Sequence, residues 1–325
     1  MRNPHRTRRL MACAIVGVAA LLVTSCEFVP IPGVTGCTIT PANSFWRARV
    51  TGLPAHPSSA SWIASAGSTR TVHADFGSGL WDGGPIGIPY DVVDGSVPAA
   101  AVTFTYADES DAGPYRVPAN PSIEGGNGST GDRHILLVDR DACRLAELYA
   151  AYPAGAGAWS AGSGAVWDMR SNAMRPAGWT SADAAGLPIL PGLVRYEEVE
   201  AGKVLHAIRV TLPQTRRTYV WPASHQAGST TSAAVAPMGA WLRLKPSVDE
   251  STFPPQAQPI VRALKTYGAV VADNGSAFYL SGVPDARWDN DQLRTLGRLT
   301  GADFEFVDAS SLQVAPNSYE ATTAS

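Results

Sequence analysis

Gly131-Asp132-Arg133-His134-Ile135-Leu136-Leu137-Val138-Asp139, followed after a short polar break by Leu145-Ala146-Glu147-Leu148-Tyr149, is the passage that sets the fold class. Each apolar run is about five residues long and is bounded by Gly, Asp or Asn, which suits a strand and is too short for a helix. The same pattern recurs outward in both directions, at 71–76, 101–106, 165–169, 205–211, 218–221, 240–245, 269–272, 277–281 and 304–307. Helical spacing occurs in only three places. Pro191 opens 191–200 as a first-turn proline, 255–267 places Ile260, Ala263, Leu264 and Tyr267 on one face, and 290–299 follows an Asp/Asn cap. The expected fold is therefore mainly β, an antiparallel β-sandwich of jelly-roll type carrying a few short helices. It should occupy residues 37–310 as a single β-rich domain. Residues 311–325 read as a polar tail, without order from about Ala315.

The N-terminus has a separate purpose. Arg2, Arg6, Arg8 and Arg9 precede an unbroken apolar run from Leu10 to Val23, and Thr24-Ser25-Cys26 follows. That run is shorter than the roughly 20 apolar residues a membrane-spanning helix needs, so it reads as the core of an export signal, residues 1–25. Leu22-Val23-Thr24-Ser25-Cys26 resembles the lipobox of bacterial lipoproteins, which implies a diacylglyceryl anchor on Cys26, a short tether over 26–36, and work outside the cytoplasm at a membrane surface. An ordinary cleaved signal with a chance cysteine is the plainer alternative.

Of the four cysteines, Cys13 falls in the signal and Cys26 takes the lipid, leaving Cys37 and Cys143. Two leftover thiols in an oxidising compartment most simply form one disulfide, worth about 4–5 kcal/mol for a loop of this length in the chain-entropy treatment. Two buried free thiols are the competing reading. Without the four signal arginines the chain has 21 basic against 28 acidic residues, a net charge near −7. An acidic chain lacks the basic face a nucleic acid requires, so no nucleic-acid partner is expected. Oligomeric state is not readable from the sequence.

Six segments, 83–90, 109–115, 131–134, 181–199, 219–225 and 272–276, resemble a family of secreted bacterial proteins without an assigned activity. The resemblance covers most of the mature chain and implies export and a single domain. It transfers no catalytic residue.

Candidate chemistry concentrates at strand ends. Asp132, Arg133 and His134 stand at the mouth of the 135–138 strand, where a carboxylate beside an imidazole makes an acid/base pair. The bland reading makes Asp132 a turn cap and pairs Arg133 with a nearby acid. A second concentration holds Asp168, Arg170, Asn172, Trp179, Asp183, Arg195, Tyr196, Glu197, Glu198 and His206, with Arg209 on a strand face that offers nothing obvious but solvent or core; His206 shares a strand face with Ile208 and reads equally well as a core histidine. His134, His206 and His225 have no metal-type spacing, so neither a metal nor another cofactor is expected. Ala161-Gly162-Ser163-Gly164-Ala165 lacks the outer glycines of a nucleophile elbow, and no glycine loop suited to phosphate occurs.

Nine tryptophans and ten tyrosines, several beside Asp or Arg in loops, are what a sugar-binding face needs. Trp167 and Trp241 read as core; Trp81, Trp179 and Trp288 remain candidates for such a face. Glycoside hydrolysis needs two facing carboxylates, for which Asp132, Asp168, Asp183, Glu197, Glu198 and Asp273 are available. A lyase would instead lead with Tyr196, His206, Arg195 and Asn172. The expectation is a tethered protein acting on extracellular or cell-wall polysaccharide, with Asp132, His134 and His206 as acid/base residues and Arg195, Trp179, Asp183 and Asp273 binding substrate. The alternative is a non-catalytic lipoprotein that binds envelope glycan or a protein.

Overall fold

A computed structural model of the chain describes residues 28–322; the expected export signal over 1–25 and the expected lipid acceptor Cys26 lie outside the described residues. The fold is mainly β, with several sheets and a few short helices. All eleven expected strand regions contain or overlap a strand, and six strands, Leu80–Trp81, Gly84–Pro85, Tyr90–Val93, Tyr152–Gly155, Ala158–Ala161 and Pro237–Met238, were not anticipated.

Pairing is where the expectation of an antiparallel fold fails. The largest sheet runs His73–Asp75, Tyr279–Ser281, Ile208–Leu212, Ala269–Asn274, Trp241–Leu244, Phe304–Val307 across its width. Within it, Ile208–Leu212 lies parallel to Ala269–Asn274, and His73–Asp75 lies parallel to Tyr279–Ser281. Parallel neighbours need a long crossover; between Leu212 and Ala269 that crossover contains the amphipathic helix Gln258–Thr266. The second sheet, ordered Ser163–Asp168, Arg144–Tyr149, Ile135–Asp139, Tyr90–Val93, is antiparallel except at Tyr90–Val93. Both sheets are mixed.

The opening hairpin separates two apolar clusters. Along Ile135–Asp139, Leu136 and Val138 enter the larger core while Ile135 and Leu137 enter a smaller one, the two-residue alternation of a strand buried on both faces. The smaller cluster is closed by the three-stranded sheet of Val102–Phe104, Ala158–Ala161 and Tyr152–Gly155. The same alternation sends Glu147, fully buried, toward the larger core, where the backbone N–H groups of Ile189 and Leu190 donate to its carboxylate at 2.9 Å. Cys37 and Cys143 are joined, tying the N-terminal segment to the turn between the hairpin strands.

Three local expectations are corrected. Residues 191–200 are not one helix: a 3-10 turn at Leu190–Gly192 and a short helix at Tyr196–Glu200 are separated by extended residues. Residues 315–322 are not a loose tail, because Tyr319 and Ala321 are buried and the segment bridges to Ser44 and Ala173. Strand Ile208–Leu212 begins beyond His206, so the shared strand face with Ile208 does not exist. The helix Ser59–Ala66 was not foreseen; its Ser-Ala-Ser-Trp sequence lacks a long amphipathic period.

Candidate functional site

Arg209 is the centre of the principal charged cluster. It sits in an otherwise apolar strand, and its guanidinium grips Asp183 through two bonds, Nε to Oδ2 at 2.9 Å and NH2 to Oδ1 at 2.8 Å. Its remaining donors reach Ser281 Oγ at 2.8 Å and Asp273 Oδ2 at 3.1 Å. Burial opposes the charge, but Asp183 and Asp273 hold Arg209 firmly protonated.

Asp273 reaches this cluster through a register shift. Val210 pairs with Val271 but Thr211 pairs with Asp273, so Ala272 is the extra residue of a bulge. In regular pairing Asp273 would face away from Arg209, since a one-residue step reverses a strand's side chains. The bulge turns it to the arginine's side. Burial pushes the Asp273 carboxyl up to about 6, with Asp183 and Asp132 adding to the rise and Arg209 opposing it. About a quarter of its side chain stays open (23% exposed), so the proton is reachable from solvent.

Asp183 is positioned by its own loop. Ser181 Oγ accepts from the Asp183 amide at 2.9 Å and donates to Leu187 O at 2.6 Å, closing the loop on itself. Gly186 adopts φ +72°, and a Cβ there would stand 2.1 Å from Ser224 Oγ, so the turn tolerates only glycine.

The Gly131–His134 stretch supplies the other side. Arg133 adopts φ +51°, a left-handed conformation uncommon for a long side chain, which leaves Asp132 exposed while Arg133 and His134 are buried. Among the described residues Arg133 pairs with no acid; it donates to the carbonyls of Gly126, Asn127, Ser129 and Ala151. His134 places Nδ1 2.6 Å from Glu124 Oε2 and Nε2 2.9 Å from Ala182 O. Both neighbours are acceptors, so the ring donates from both nitrogens. Burial opposes that cation, yet Glu124, and more weakly Asp132, raise the His134 pKa to about 9. Glu124 is correspondingly held below its ordinary value, His134 outweighing burial. A histidine so committed cannot be the base expected of it.

Around this mouth stand Asp75, whose carboxyl burial and Glu124 raise despite its exposure to solvent, and three tyrosines. Tyr149 is raised by burial and, electrostatically, by Asp132, Tyr106, Asp273 and Tyr152; Tyr106 and Tyr152 are exposed. Glu124, Asp132 and His134 bring one ligand-type atom each within 4.8 Å of one another, a grouping no sequence spacing announced. A cation there would have to displace the proton His134 shares with Glu124.

Asp132, His134, Asp183 and Asp273 thus converge, and the other expected residues do not. His206 Nε2 faces Glu198 Oε2 at 3.2 Å, and Glu198 also accepts from Arg195. Arg195 donates onward to Val29 O and Pro30 O. That buried trio fastens the N-terminal segment. Trp179 lies against Arg175, 5.5 Å from its guanidinium carbon, and Trp288 is buried with its indole N–H on Val283 O. Trp81 alone of the three candidates is fully open, at 78%. Sequence reasoning missed Glu124, Tyr149 and Asp75 and noted Arg209 without giving it a role. An arginine between Ile208 and Val210, and an aspartate closing the apolar run 269–272, were the available signals.

Two cavities lie elsewhere, one of about 210 Å³ beside Trp46 and Trp167, the other of about 560 Å³ bordering the loop that carries Glu124. Among the described residues no helix is long and apolar enough to cross a membrane. No family model, no curated protein and no solved structure matches the chain.

Proposed function

We propose that the chain is an exported, membrane-tethered glycoside hydrolase, acting at the Asp132–Asp273 mouth on a neutral extracellular or cell-wall polysaccharide. One observation carries the reading. Asp273 is a carboxyl 23% exposed at its side chain and raised to about 6 by burial, with the exposed Asp132 carboxylate contributing to the rise, an acid and a candidate counterpart of the kind glycosidic hydrolysis needs. In this reading Asp273 protonates the leaving oxygen, and Asp132, with the His134 cation near it, serves as base or nucleophile. Arg209 and Asp183 fix Asp273 in place, and Tyr106, Tyr149 and Tyr152 offer faces for sugar rings.

A lyase is disfavoured by the same geometry. His134 has no free lone pair, Arg209 is consumed by carboxylates, and five acids (Asp75, Glu124, Asp132, Asp183 and Asp273) would repel a uronate. An open mouth suits a polymer laid across it. The lipid on Cys26, the export signal and kinship with secreted proteins of unassigned activity belong to this proposal.

The test is incubation with neutral and uronic polysaccharides, followed by mass spectrometry of released oligosaccharides. New saturated reducing ends from a neutral polymer, lost in Asp273→Asn and Asp132→Asn, are expected. Unsaturated products, or products undiminished in Asp273→Asn, overturn the reading. Retention on a polymer without cleavage favours a glycan-binding protein, for which the exposed Tyr106 and Tyr152 are the supporting feature.

A further inference from the structure

The cavity of about 560 Å³ shares a loop with the acidic mouth. Glu124 turns its carboxylate to His134 at the mouth, while Ile123, Gly126 and Asn127 of the same loop line the cavity. The loop is fastened at both ends. Ser122 donates to Asp91 from its amide at 2.7 Å and from its hydroxyl at 2.8 Å, and Arg133 donates to the carbonyls of Gly126, Asn127 and Ser129. A second wall is the hairpin of Leu80–Trp81 and Gly84–Pro85, from which Gly79 and Pro85 face the cavity. That hairpin lies directly on the loop, for a Cβ on Gly84 would stand 2.0 Å from the Gly125 carbonyl carbon.

Trp81 pairs with Gly84 at this crossing and is 78% exposed, with Leu80 beside it at 71%. Two adjoining large apolar side chains left in water at the rim of a cavity mark a binding surface. Inside, Tyr90 packs its ring against the larger core, and among the described residues its hydroxyl has no hydrogen-bond partner. That oxygen is not one of the buried unpartnered atoms, so solvent reaches it. Asn127 is exposed, and its side-chain amide is likewise without a partner among the described residues. The phenol and the amide together offer donors and acceptors. The lining acid Asp285 is already bound to Arg287, which also reaches Glu197, and no Lys, Arg or His lines the cavity.

We propose that this groove is a holding subsite for a run of at least two rings of a neutral polysaccharide, with Trp81 as the stacking platform and Tyr90 and Asn127 as partners of ring hydroxyls. The volume lies within the roughly 300–1,000 Å³ of ligand sites, and a six-membered ring fits in about 150 Å³. An indole face matches the C–H face of a sugar, and a ring hydroxyl both gives and takes a hydrogen bond. With no cation free to draw it, an anionic polymer is not called for. The Leu80–Trp81 pair by itself would also suit a lipid surface; the open phenol and amide beside it, and the exposed Asp82 next to Trp81, favour a hydroxylated ligand. Because the loop is already fastened, little order is lost on binding. The proposal deepens the hydrolase reading and rests on it for the class of polymer, but holding the polymer needs no cleavage.

The full chain carrying Asp273→Asn, which removes the proposed acid, is titrated by calorimetry with hexasaccharides of the cello-, xylo-, manno-, malto- and chito- series, and with phosphatidylcholine–phosphatidylglycerol vesicles. One hexasaccharide should bind. Adding Trp81→Ala should weaken it about tenfold and Trp81→Tyr should recover most of that loss, while Asn127→Ala and Tyr90→Phe should each cost about threefold. An unchanged Tm in Trp81→Ala separates lost binding from lost structure. Binding of no hexasaccharide, binding of vesicles alone, or affinity undiminished by Trp81→Ala each overturns the groove. Cleavage is read apart, on the chain with Asp273 intact. Binding that depends on Trp81 without released products fells the hydrolase reading and leaves the groove; products released with KM unmoved by Trp81→Ala fell the groove and leave the hydrolase.

Discussion

Two buried clusters in this protein are built from similar parts and end differently. Arg195, Glu198 and His206 are 1–3% exposed, and every polar atom they turn inward meets a partner of the same trio or of the backbone. Burial opposes ionisation of Glu198, yet His206 and Arg195 hold its pKa down to about 2. The Arg209 cluster has the same arginine-carboxylate core, but it carries one acid too many. The surplus falls on Asp273, which shares one donor of Arg209 and is raised to about 6 at the solvent edge. A closed cluster holds a fold together, whereas an open one with a displaced pKa is available for proton transfer.

The largest effect that would break this comparison is on turnover. Asp273→Asn keeps the Arg209 contact but cannot protonate a leaving group, so the hydrolysis rate should fall about 10²–10⁴-fold. Wild-type turnover should be present below pH 6 and decline as pH rises through about 6, where Asp273 loses its proton. Rates measured between pH 4 and 8 on the cleaved polysaccharide check both; a flat profile would equate the two clusters.

Next is stability. Removing one partner of a buried pair leaves an uncompensated charge, so Arg209→Met should cost about 3–5 kcal/mol by denaturant unfolding. Arg195→Met should cost a similar amount, for Glu198 is as deeply buried. The two should separate in function: folded Arg195→Met protein retains its turnover, and folded Arg209→Met protein does not.

Glu147 sharpens the contrast from a third position. It is fully buried, and burial raises its pKa from 4.5 to about 7 even though the amides of Leu190 and Ile189 favour the charged form. Its folded-state pKa lies above the unfolded one, so its contribution is intact below about pH 4.5 and is lost as pH rises through about 7. The ceiling is about 3 kcal/mol. Glu147→Gln should match wild type near pH 4 and exceed it at pH 8, as read from paired denaturation curves. Equal curves at both pH values would show the site to be already neutral.

Strand existence was legible because Ile135–Asp139 and its relatives carry short apolar runs between turn residues. Strand direction was not: nothing within Ile208–Leu212 distinguishes a parallel neighbour from an antiparallel one, and the crossover deciding it is remote in sequence. At the site, Asp132 and His134 were visible as a pair at a strand mouth, but not that Glu124 would take the imidazole. The bulge at Ala272 depends on pairing with a strand some 60 residues away, so the side of the sheet to which Asp273 points was hidden. His206 and Arg195 were read as site residues because buried ionic struts and catalytic groups use the same side chains. Only their partners separate them.

The smallest effect concerns how a chain is held at the mouth. Tyr152 is 43% exposed on an edge strand, and the Arg133 guanidinium carbon lies 4.3 Å from its ring centre. One ring face is therefore engaged by a buried arginine that is itself tied to four backbone carbonyls, which fixes the ring's orientation with little mobility left to lose on binding. A sugar stacked on such a pre-set ring gains contact area that is the same in ground and transition states, so its loss should appear in KM and not in kcat. Tyr152→Ala should raise KM by about fivefold, equivalent to about 1 kcal/mol, with kcat within about twofold and the pH profile unmoved. Asp273→Asn moves kcat instead. A Tyr152→Ala variant that lowered kcat while leaving KM alone would place the ring in the reacting geometry, and the division of the mouth into a proton-transfer group and a stacking wall would have to be redrawn.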